Sequence, residues 1–438
     1  MTQETKFKKT EIGMIPEDWE VSNLEKVVDI LTGFPFKGDK YSNEGIKVLR
    51  GENVSIGFIR WDTEKRWNHS LENLDKYYLQ DLDIVIGMDG SRVGQNRAII
   101  KKSNLPLLLA QRVTRLRAKD KLNQKYLYYI IFSDKFFNHV ESVRTGTSIP
   151  HISSKQIGEL MLAVPPISEQ RAIAHILSTL DSQIELLQQQ NQTLEAIGKA
   201  IFKSWFVDFE FPNEEGKPYK SGGGKMAYNE ELGKEIPGGW GVKTIEKCSD
   251  NVIRGFTTKY VEKSNLINLN QKVNRGKYLD KSNFKYYPDN SEVPEEKYAR
   301  KQDLLVNSLG QGTLGRMHLY WEDASNVVVD QHITIIRTNK EILKPSFLYL
   351  YLTTRENQSR LESEITGSTG MLMLNVSKIR DFEIILPDKS IQESFNKCIV
   401  ELFEKKSNNV LIIESLSKIR DSLLPKLMSG KIRVNTSG

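Results

Sequence analysis

Gly310-Gln311-Gly312-Thr313-Leu314-Gly315-Arg316-Met317 has the glycine-rich look of a phosphate-cradling loop. Arg316-Met317, however, stands where the Lys-Ser/Thr pair that touches phosphate and magnesium belongs, so the segment reads as a tight turn after a strand. Its earlier counterpart, Asp89-Gly90-Ser91-Arg92-Val93-Gly94-Gln95-Asn96-Arg97, has still less of the motif. Pro288-Asp289 followed by Glu295-Glu296-Lys297 offers the carboxylates and lysine of many metal-dependent nucleases. The gap between them is too short for two adjacent strands and a turn, and the segment is loop-like. No Asn/Asp-Pro-Pro-aromatic motif and no glycine-rich dinucleotide fingerprint occurs. His151 and His332 stand alone and read as polar contacts. Cys248 and Cys398 are the only cysteines, which excludes a disulfide framework and a structural zinc site. These patterns point away from catalysis by this chain and towards binding.

The binding candidates are basic and polar residues beside the glycine-rich turns. Arg92, Arg97, Arg112, Arg115, Arg144 and Ser148 cluster in the first half, and Arg254, Lys259, Gln311, Arg316, His332, Ser368 and Thr369 hold loosely corresponding places in the second. Arginine takes guanine edges bidentately, while Ser, Thr, Gln and backbone amides position phosphates. The net charge of +6 and pI near 8.9 permit a nucleic-acid partner without demanding one. The N-terminus is polar, with no apolar signal core, and no apolar stretch approaches a membrane span. The expectation is a soluble, cytoplasmic protein of a reducing compartment.

What must position these residues is written twice. Ile15-Pro16-x-x-Trp19 returns as Ile236-Pro237-x-x-Trp240, an offset of about 221 residues, far longer than a solenoid period. Asp83-Ile84-Val85-Ile86 returns as Asp303-Leu304-Leu305-Val306, and Gln111-Arg112-Val113-Thr114 as Gln331-His332-Ile333-Thr334. Thr145-Gly146 returns as Thr366-Gly367, and Pro165 as Pro387. Each copy opens with short β-type runs separated by glycine turns: in the first, Ile46 to Leu49, Asp83 to Ile86, Ala98 to Ile100 and Arg112 to Leu116, interrupted by a helical stretch from Gln124 to Val140. The fold class is α+β, two duplicated, mostly-β domains each followed by a long helix.

Those helices show a seam. Ile173, Leu177, Leu180, Ile184, Leu187, Asn191, Leu194, Gly198, Ile201 and Trp205 follow steps of four and three. The second copy reads Phe395, Ile399, Leu402, Lys406, Asn409, Ile413, Leu416, Arg420, Leu423 and Leu427 in phase. Ser390 and Glu393 fit a capping box, and Pro425 is expected to break or kink the last turn. Antiparallel pairing opposes Asn191 to Asn409, Leu187 to Ile413 and Ile184 to Leu416, and two asparagines in one layer fix register at a cost in stability. Forty-odd helical residues span roughly 60 Å, and antiparallel packing puts the β-rich domains at opposite ends, as a ruler for a split site.

The expected boundaries are a first β-rich domain over 1–166, a helix over 167–210, a polar glycine-rich linker over 211–233, a second domain over 234–388, a second helix over 389–430 and a tail over 431–438.

With the motifs in view, the chain resembles the specificity subunit of a Type I restriction–modification enzyme across essentially its full length. Ile15-Pro16-Glu17-Asp18-Trp19 and Ile236-Pro237-Gly238-Gly239-Trp240 open the two target-recognition domains. Pro165-Pro166-Ile167-Ser168-Glu169-Gln170 opens the first conserved helix, and Leu194-Glu195 through Ser204-Trp205-Phe206-Val207-Asp208-Phe209 closes it. Leu416-x-x-Ile419-Arg420-Asp421-Ser422-Leu423-Leu424-Pro425-Lys426-Leu427-Met428-Ser429-Gly430 closes the second. One departure is Pro387-Asp388-Lys389-Ser390-Ile391-Gln392, which lacks the double proline and the Glu-Gln pair at the second helix start.

The resemblance implies a non-catalytic reader of double-stranded DNA, each domain binding one part of a bipartite asymmetric target. It implies an antiparallel helix pair that docks two modification (methyltransferase) subunits, with restriction/translocase subunits added. S-adenosylmethionine, ATP and Mg then belong to those partners and no cofactor or metal to this chain. Ile176, Leu186 and Ile197, off the seam, fit that docking. The competing expectations are a stand-alone sequence-specific nuclease or methyltransferase, and a coiled-coil adaptor that binds protein alone.

Overall fold

A computed structural model describes residues 6–146, 148–230, 232–310, 312–367 and 372–434. It divides into two compact units, Met1–Glu185 with Glu414–Gly438 (unit 1) and Leu186–Ile413 (unit 2). The division falls inside both long helices, Ile167–Phe206 and Lys389–Met428, so each unit holds one β-rich domain and a half of each helix. No helix among the described residues is long and apolar enough to cross a membrane.

The two domains share one topology. In unit 1 an antiparallel sheet runs Val28–Thr32, Val113–Ala118, Ile84–Gly87, Arg97–Ile99, and a second sheet runs Arg66–Trp67, Ile46–Leu49, Leu107–Leu109, its last pair parallel. Unit 2 repeats this order: Ser249–Arg254, Ile333–Thr338, Leu304–Asn307, Met317–Leu319, and then Lys285–Tyr287, Leu266–Leu269, Val327–Val329, the last pair again parallel. Ile84, Val85 and Ile86 are all fully buried, as are Leu304 and Leu305, so these strands are apolar on both faces. The acidic residue heading each run is structural. Asp83 takes Arg117 in a two-bond fork at 2.7 Å, and Asp303 takes Arg337 at 2.8 and 2.7 Å. The expected helical stretch is two helices, Gln124–Ile131 and Asp134–Val143, because Ser133 caps the second through Phe136 N–H.

A buried glutamine ties each long helix to its domain. Gln170 donates to the carbonyls of Lys121 (3.0 Å) and Pro165 (2.8 Å) and accepts from Asn123 N–H (2.8 Å). Gln392 repeats all three bonds, to Ile342 (3.1 Å), Pro387 (2.9 Å) and Lys344 N–H (3.1 Å). The second helix therefore keeps the glutamine of the Glu-Gln pair and loses only the glutamate, replaced by Ile391. That exchange has a partner. In unit 1 buried Glu169 accepts from Trp19 Nε1 and from Arg433, which also forks onto Asp18 and lies over the Trp19 ring at 5.9 Å. In unit 2 the residue at the same step past the helix end is Phe211, stacked on Trp240 at 5.2 Å, and Ile391 packs on the same core. A polar trio in one copy is an apolar one in the other. Gly430 is required in unit 1 because its φ is +70° and a Cβ there would lie 2.4 Å from the Pro16 ring.

Within each unit the helices run antiparallel, and the polar seam positions find partners. In unit 1 Arg420 pairs with Asp181 at 2.9 Å, and Asp181 also accepts from Tyr129 OH at 2.7 Å. In unit 2 Asn409 Nδ2 donates to Asn191 Oδ1 at 2.9 Å, Lys406 meets Glu195 at 3.4 Å, and Gly198 makes room for Ile399 and Leu402. Two expectations are corrected. Pro425 does not break the helix, which continues to Met428; placed in the last turn, it forfeits a single backbone bond. Ser390 is no cap, since the helix already starts at Lys389. The stretch after the first helix makes contacts of its own: Tyr219 stacks on Phe211 at 4.5 Å, and Met226–Asn229 pairs with Lys234–Pro237.

Two outcomes follow from this packing. Gln170→Ala or Gln392→Ala strands three buried backbone groups, so each should lower the stability of its own unit by about 2–3 kcal/mol in urea denaturation. His318 donates Nδ1–H to the Gly276 carbonyl at 2.8 Å, and burial, with Lys406 adding to it, pulls its pKa from 6.5 down to about 4. The unfolded chain therefore binds a proton below pH 6.5 that folded unit 2 refuses until about pH 4, and stability falls as pH drops through that window, by about 3 kcal/mol. His318→Gln should flatten that fall in denaturation curves taken at successive pH values.

Candidate nucleic-acid interface

Three loops converge at the same edge of the larger sheet in each unit. In unit 1 the Gln111-Arg112 turn, the glycine-rich turn from Asp89 to Asn96 and the hairpin closed by Thr145 and His151 are stitched by backbone bonds. Met88 N–H donates to the Arg112 carbonyl (2.9 Å), Gly90 N–H to Pro150 (3.0 Å) and Ile152 N–H to Met88 (2.8 Å). Unit 2 repeats the stitching: Ser308 N–H donates to the His332 carbonyl (2.9 Å) and Leu374 N–H to Ser308 (2.9 Å), with Ile365–Thr366 paired to Met373–Leu374. The ends of Val28–Thr32 and Ser249–Arg254 lie beside these turns, since Gly33 N–H bonds Val113 and Gly255 N–H bonds Ile333, both at 3.0 Å. Gly94 is needed for close packing: its φ is +81° and a Cβ would meet Val140 Cγ1 at 2.7 Å.

This edge gathers part of the residue set expected from the sequence. Arg92 and Ser148 are exposed on the glycine-rich turn and the hairpin. Arg112, at φ +66°, holds its guanidinium on Asp89, and Arg144, at the foot of the hairpin, pairs with Glu141 at 3.0 Å. In unit 2 Arg316 sits in the glycine-rich turn, bonded to the Gly312 carbonyl at 2.8 Å, and His332 pairs with buried Asp330. Arg254 ends its strand beside the turn and Lys259 is exposed in the loop that follows. Gln311, Ser368 and Thr369 lie outside the described residues.

Two residues point inward instead. Arg97 spends its donors on the carbonyls of Gly94 (3.0 Å) and Phe132 (3.4 Å) and lies over the Phe132 and Phe136 rings. Burial pulls its pKa down from the usual arginine value. Arg115, in the central strand, has its side chain buried against Asp29. Both sit on strands of a sheet covered on both faces, so their side chains have little open solvent to point into. The sequence reading missed Asp330, Asn268, Tyr260 and Tyr287, a linked polar cluster under His332; no motif spacing marks them, because four separate segments supply them.

The catalytic look-alikes are accounted for by structure. The 310–317 segment joins two antiparallel strands rather than opening a helix, whose N-terminus a phosphate loop uses. Asp289 accepts from Ser264 Oγ and Asn265 N–H, Glu295 pairs with Arg300, and Lys297 caps the Arg254 carbonyl at 2.9 Å. A cleft of about 550 Å³ in unit 2 lies over Phe202, Phe206 and Tyr351, and its Lys203 and Lys234 are tied to Asp208 and Glu356. Off the seam, Leu186 and Ile197 are exposed in unit 2, as are Leu411 and Ile412 on the second helix, whereas Ile176 packs on the core of unit 1.

Arg97→Ala should cost unit 1 about 2 kcal/mol, by stranding two carbonyls and the ring contacts, while Arg92→Ala should leave the thermal transition in place. Thermal denaturation of the two variants checks this separation of structural from surface arginines.

Residues 16–196 and 247–418 match the family described as Type I restriction modification DNA specificity domain. The chain is 28% identical over 450 residues to the Type I restriction enzyme MjaIX specificity subunit of Methanocaldococcus jannaschii, covering 98% of this chain and 97% of that one. It is 24% identical to the EcoBI specificity subunit of Escherichia coli, over 95% of this chain and 87% of the relative. Among solved structures, the S subunit of a Type I restriction–modification system from M. genitalium shares the fold, with a TM-score of 0.59 at 18% identity over 97% of this chain and 98% of that one.

Proposed function

The chain belongs to the Type I restriction-modification DNA specificity family, and from that premise we propose that it is the non-catalytic sequence-recognition subunit of a Type I restriction–modification complex. One observation carries the reading. The same three-loop edge is built twice on the same sheet order, with matched backbone bonds and unmatched side chains: Arg112 in one copy, His332 in the other. Two such edges bind two short DNA segments of different sequence, which makes the target bipartite and asymmetric. Exposed arginines and backbone amides hold phosphates, and the side chains that vary between copies meet base edges.

Chemistry is assigned to partners. Two modification subunits transfer methyl groups from S-adenosylmethionine to adenine, and restriction subunits add ATP- and Mg-dependent translocation and cleavage. The exposed Leu186, Ile197, Leu411 and Ile412 on the long helices support docking of such partners, since apolar side chains on a two-helix seam gain by being covered. The cytoplasm, where those partners and the DNA are, is the assigned location.

The test is DNA affinity measured by fluorescence anisotropy on the complex with its modification subunits, at rising salt. Affinity should fall steeply, by roughly 10³-fold or more between 50 and 200 mM salt if six or more phosphates are held. Arg92→Ala should make the log–log slope shallower by about 1 if it holds one phosphate. An intact complex with no salt-dependent DNA affinity would instead identify a protein-only adaptor.

A further inference from the structure

Asp330 in unit 2 is fully buried, and its carboxylate is surrounded by donors. Oδ2 accepts from Tyr260 OH at 3.0 Å and Asn268 Nδ2 at 3.1 Å, while the Tyr287 hydroxyl, 3.4 Å away, donates to the Phe256 carbonyl at 2.8 Å. Oδ1 accepts from His332 twice, from the backbone N–H at 2.9 Å and from ring Nδ1. The Tyr260 ring lies parallel on Tyr287 with centroids 5.6 Å apart, and Lys285 covers the Tyr260 ring at 4.4 Å. Burial, reinforced by the Asp330 charge, raises the Tyr260 hydroxyl to about 12 and the Tyr287 hydroxyl above its usual range, so both remain donors. A carboxylate with this many donors is satisfied and rigid.

The consequence falls on His332. An ionised carboxylate only accepts, so the proton on the imidazole is at Nδ1. Nε2 is then the ring atom without a partner among the described residues, on a side chain that is 33% exposed at the loop edge. Unit 1 holds the same step of the same loop by a different route. Arg112 follows Gln111 as His332 follows Gln331, and its guanidinium is held by Asp89 of the glycine-rich turn. The position that supplies Asp330 in unit 2 is Ala110 in unit 1. Two different carboxylates thus fix two different side chains at one place. Folding alone does not ask for that, since the carbonyl of this residue already makes the loop-stitching bond in both units.

We propose that His332 reads a base edge through Nε2 and that Asp330 is its positioning residue, holding the ring so that this atom faces the DNA. The inference rests on the DNA-reading function proposed above. A ring fixed before binding loses little rotamer freedom on contact, and a single nitrogen discriminates between bases because major-groove edges differ in donors and acceptors. Arg112 is the corresponding reader in unit 1. The two copies therefore specify different bases with one backbone.

Base-resolution mapping of methylated adenine in cells expressing the complete complex tests this. His332→Asn places an amide N–H where Nδ1–H was and removes the Nε2 atom, so the fold is kept and the contact is lost. One position in one half of the target should relax, with discrimination there reduced roughly 10- to 100-fold, and the other half should be unchanged. Asp330→Asn should disturb that same position, and His332→Gln, which restores a polar atom near Nε2, should recover discrimination there in part. Because Asp330 is buried, the His332 variants carry the test if Asp330→Asn fails to fold. An unchanged motif in His332→Asn overturns the proposal, as does a uniform drop in methylation with no position relaxed, which marks a phosphate contact. A wild-type complex that yields no motif overturns the DNA-reading function itself, and so is distinguishable from either.

Discussion

A buried side-chain amide at the head of each long helix holds the architecture together. Gln170 and Gln392 sit where a helix leaves its domain, and each satisfies three backbone groups that the abrupt change from sheet to helix leaves without partners. Fixing the first turn of the helix fixes the face it turns to the domain core. Ile173 and Leu177 then enter the core of unit 1, and Phe395 and Ile399 that of unit 2. Apolar packing supplies most of the stability, and the glutamine decides which packing is made. Beside it the Trp19 and Trp240 closures show how freely chemistry is exchanged once geometry is set: a Trp–Glu–Arg trio in one unit, Trp stacked on Phe in the other.

The duplicated framework separates what must be constant from what is free to vary. Asp83–Arg117 and Asp303–Arg337 are the same buried fork, and the loop-stitching bonds recur with distances that differ by tenths of an ångström. Several side chains on the loops do not recur: Arg112 is replaced by His332, and Ala110 by Asp330. Backbone hydrogen bonds are indifferent to side-chain identity, so loops held by them tolerate replacement of nearly every exposed residue. A protein whose task is to read two different short sequences needs that property, and here it is obtained twice from one design.

Much of this was legible in the residues alone. The repeat showed because turns and buried apolar strands are constrained wherever they occur, and the helices showed because a seam at steps of four and three has no other explanation at this length. The Asn191–Asn409 layer followed from the same periodicity, since an antiparallel register leaves those positions no other partner. What escaped was whatever depends on contacts distant in sequence. Arg97 and Arg115 look like their neighbours on the turns, yet they lie on strands of a sheet covered on both faces. Gln392 looked like a lost motif because the residue beside it had changed, although its own three bonds survive. The cluster around Asp330 is assembled from separate segments, and no local pattern announces it. The break expected at Pro425 is not made, because the helix runs on through it to Met428.

One chain carries two distinct DNA readers, and a base-resolution map of methylated adenine in a host expressing the chain with its modification subunits tests this most directly. Two different readers give one motif made of two short specified segments, different from each other and separated by unspecified bases. A palindromic motif, a single continuous one, or methylation without sequence preference from an intact complex would contradict it.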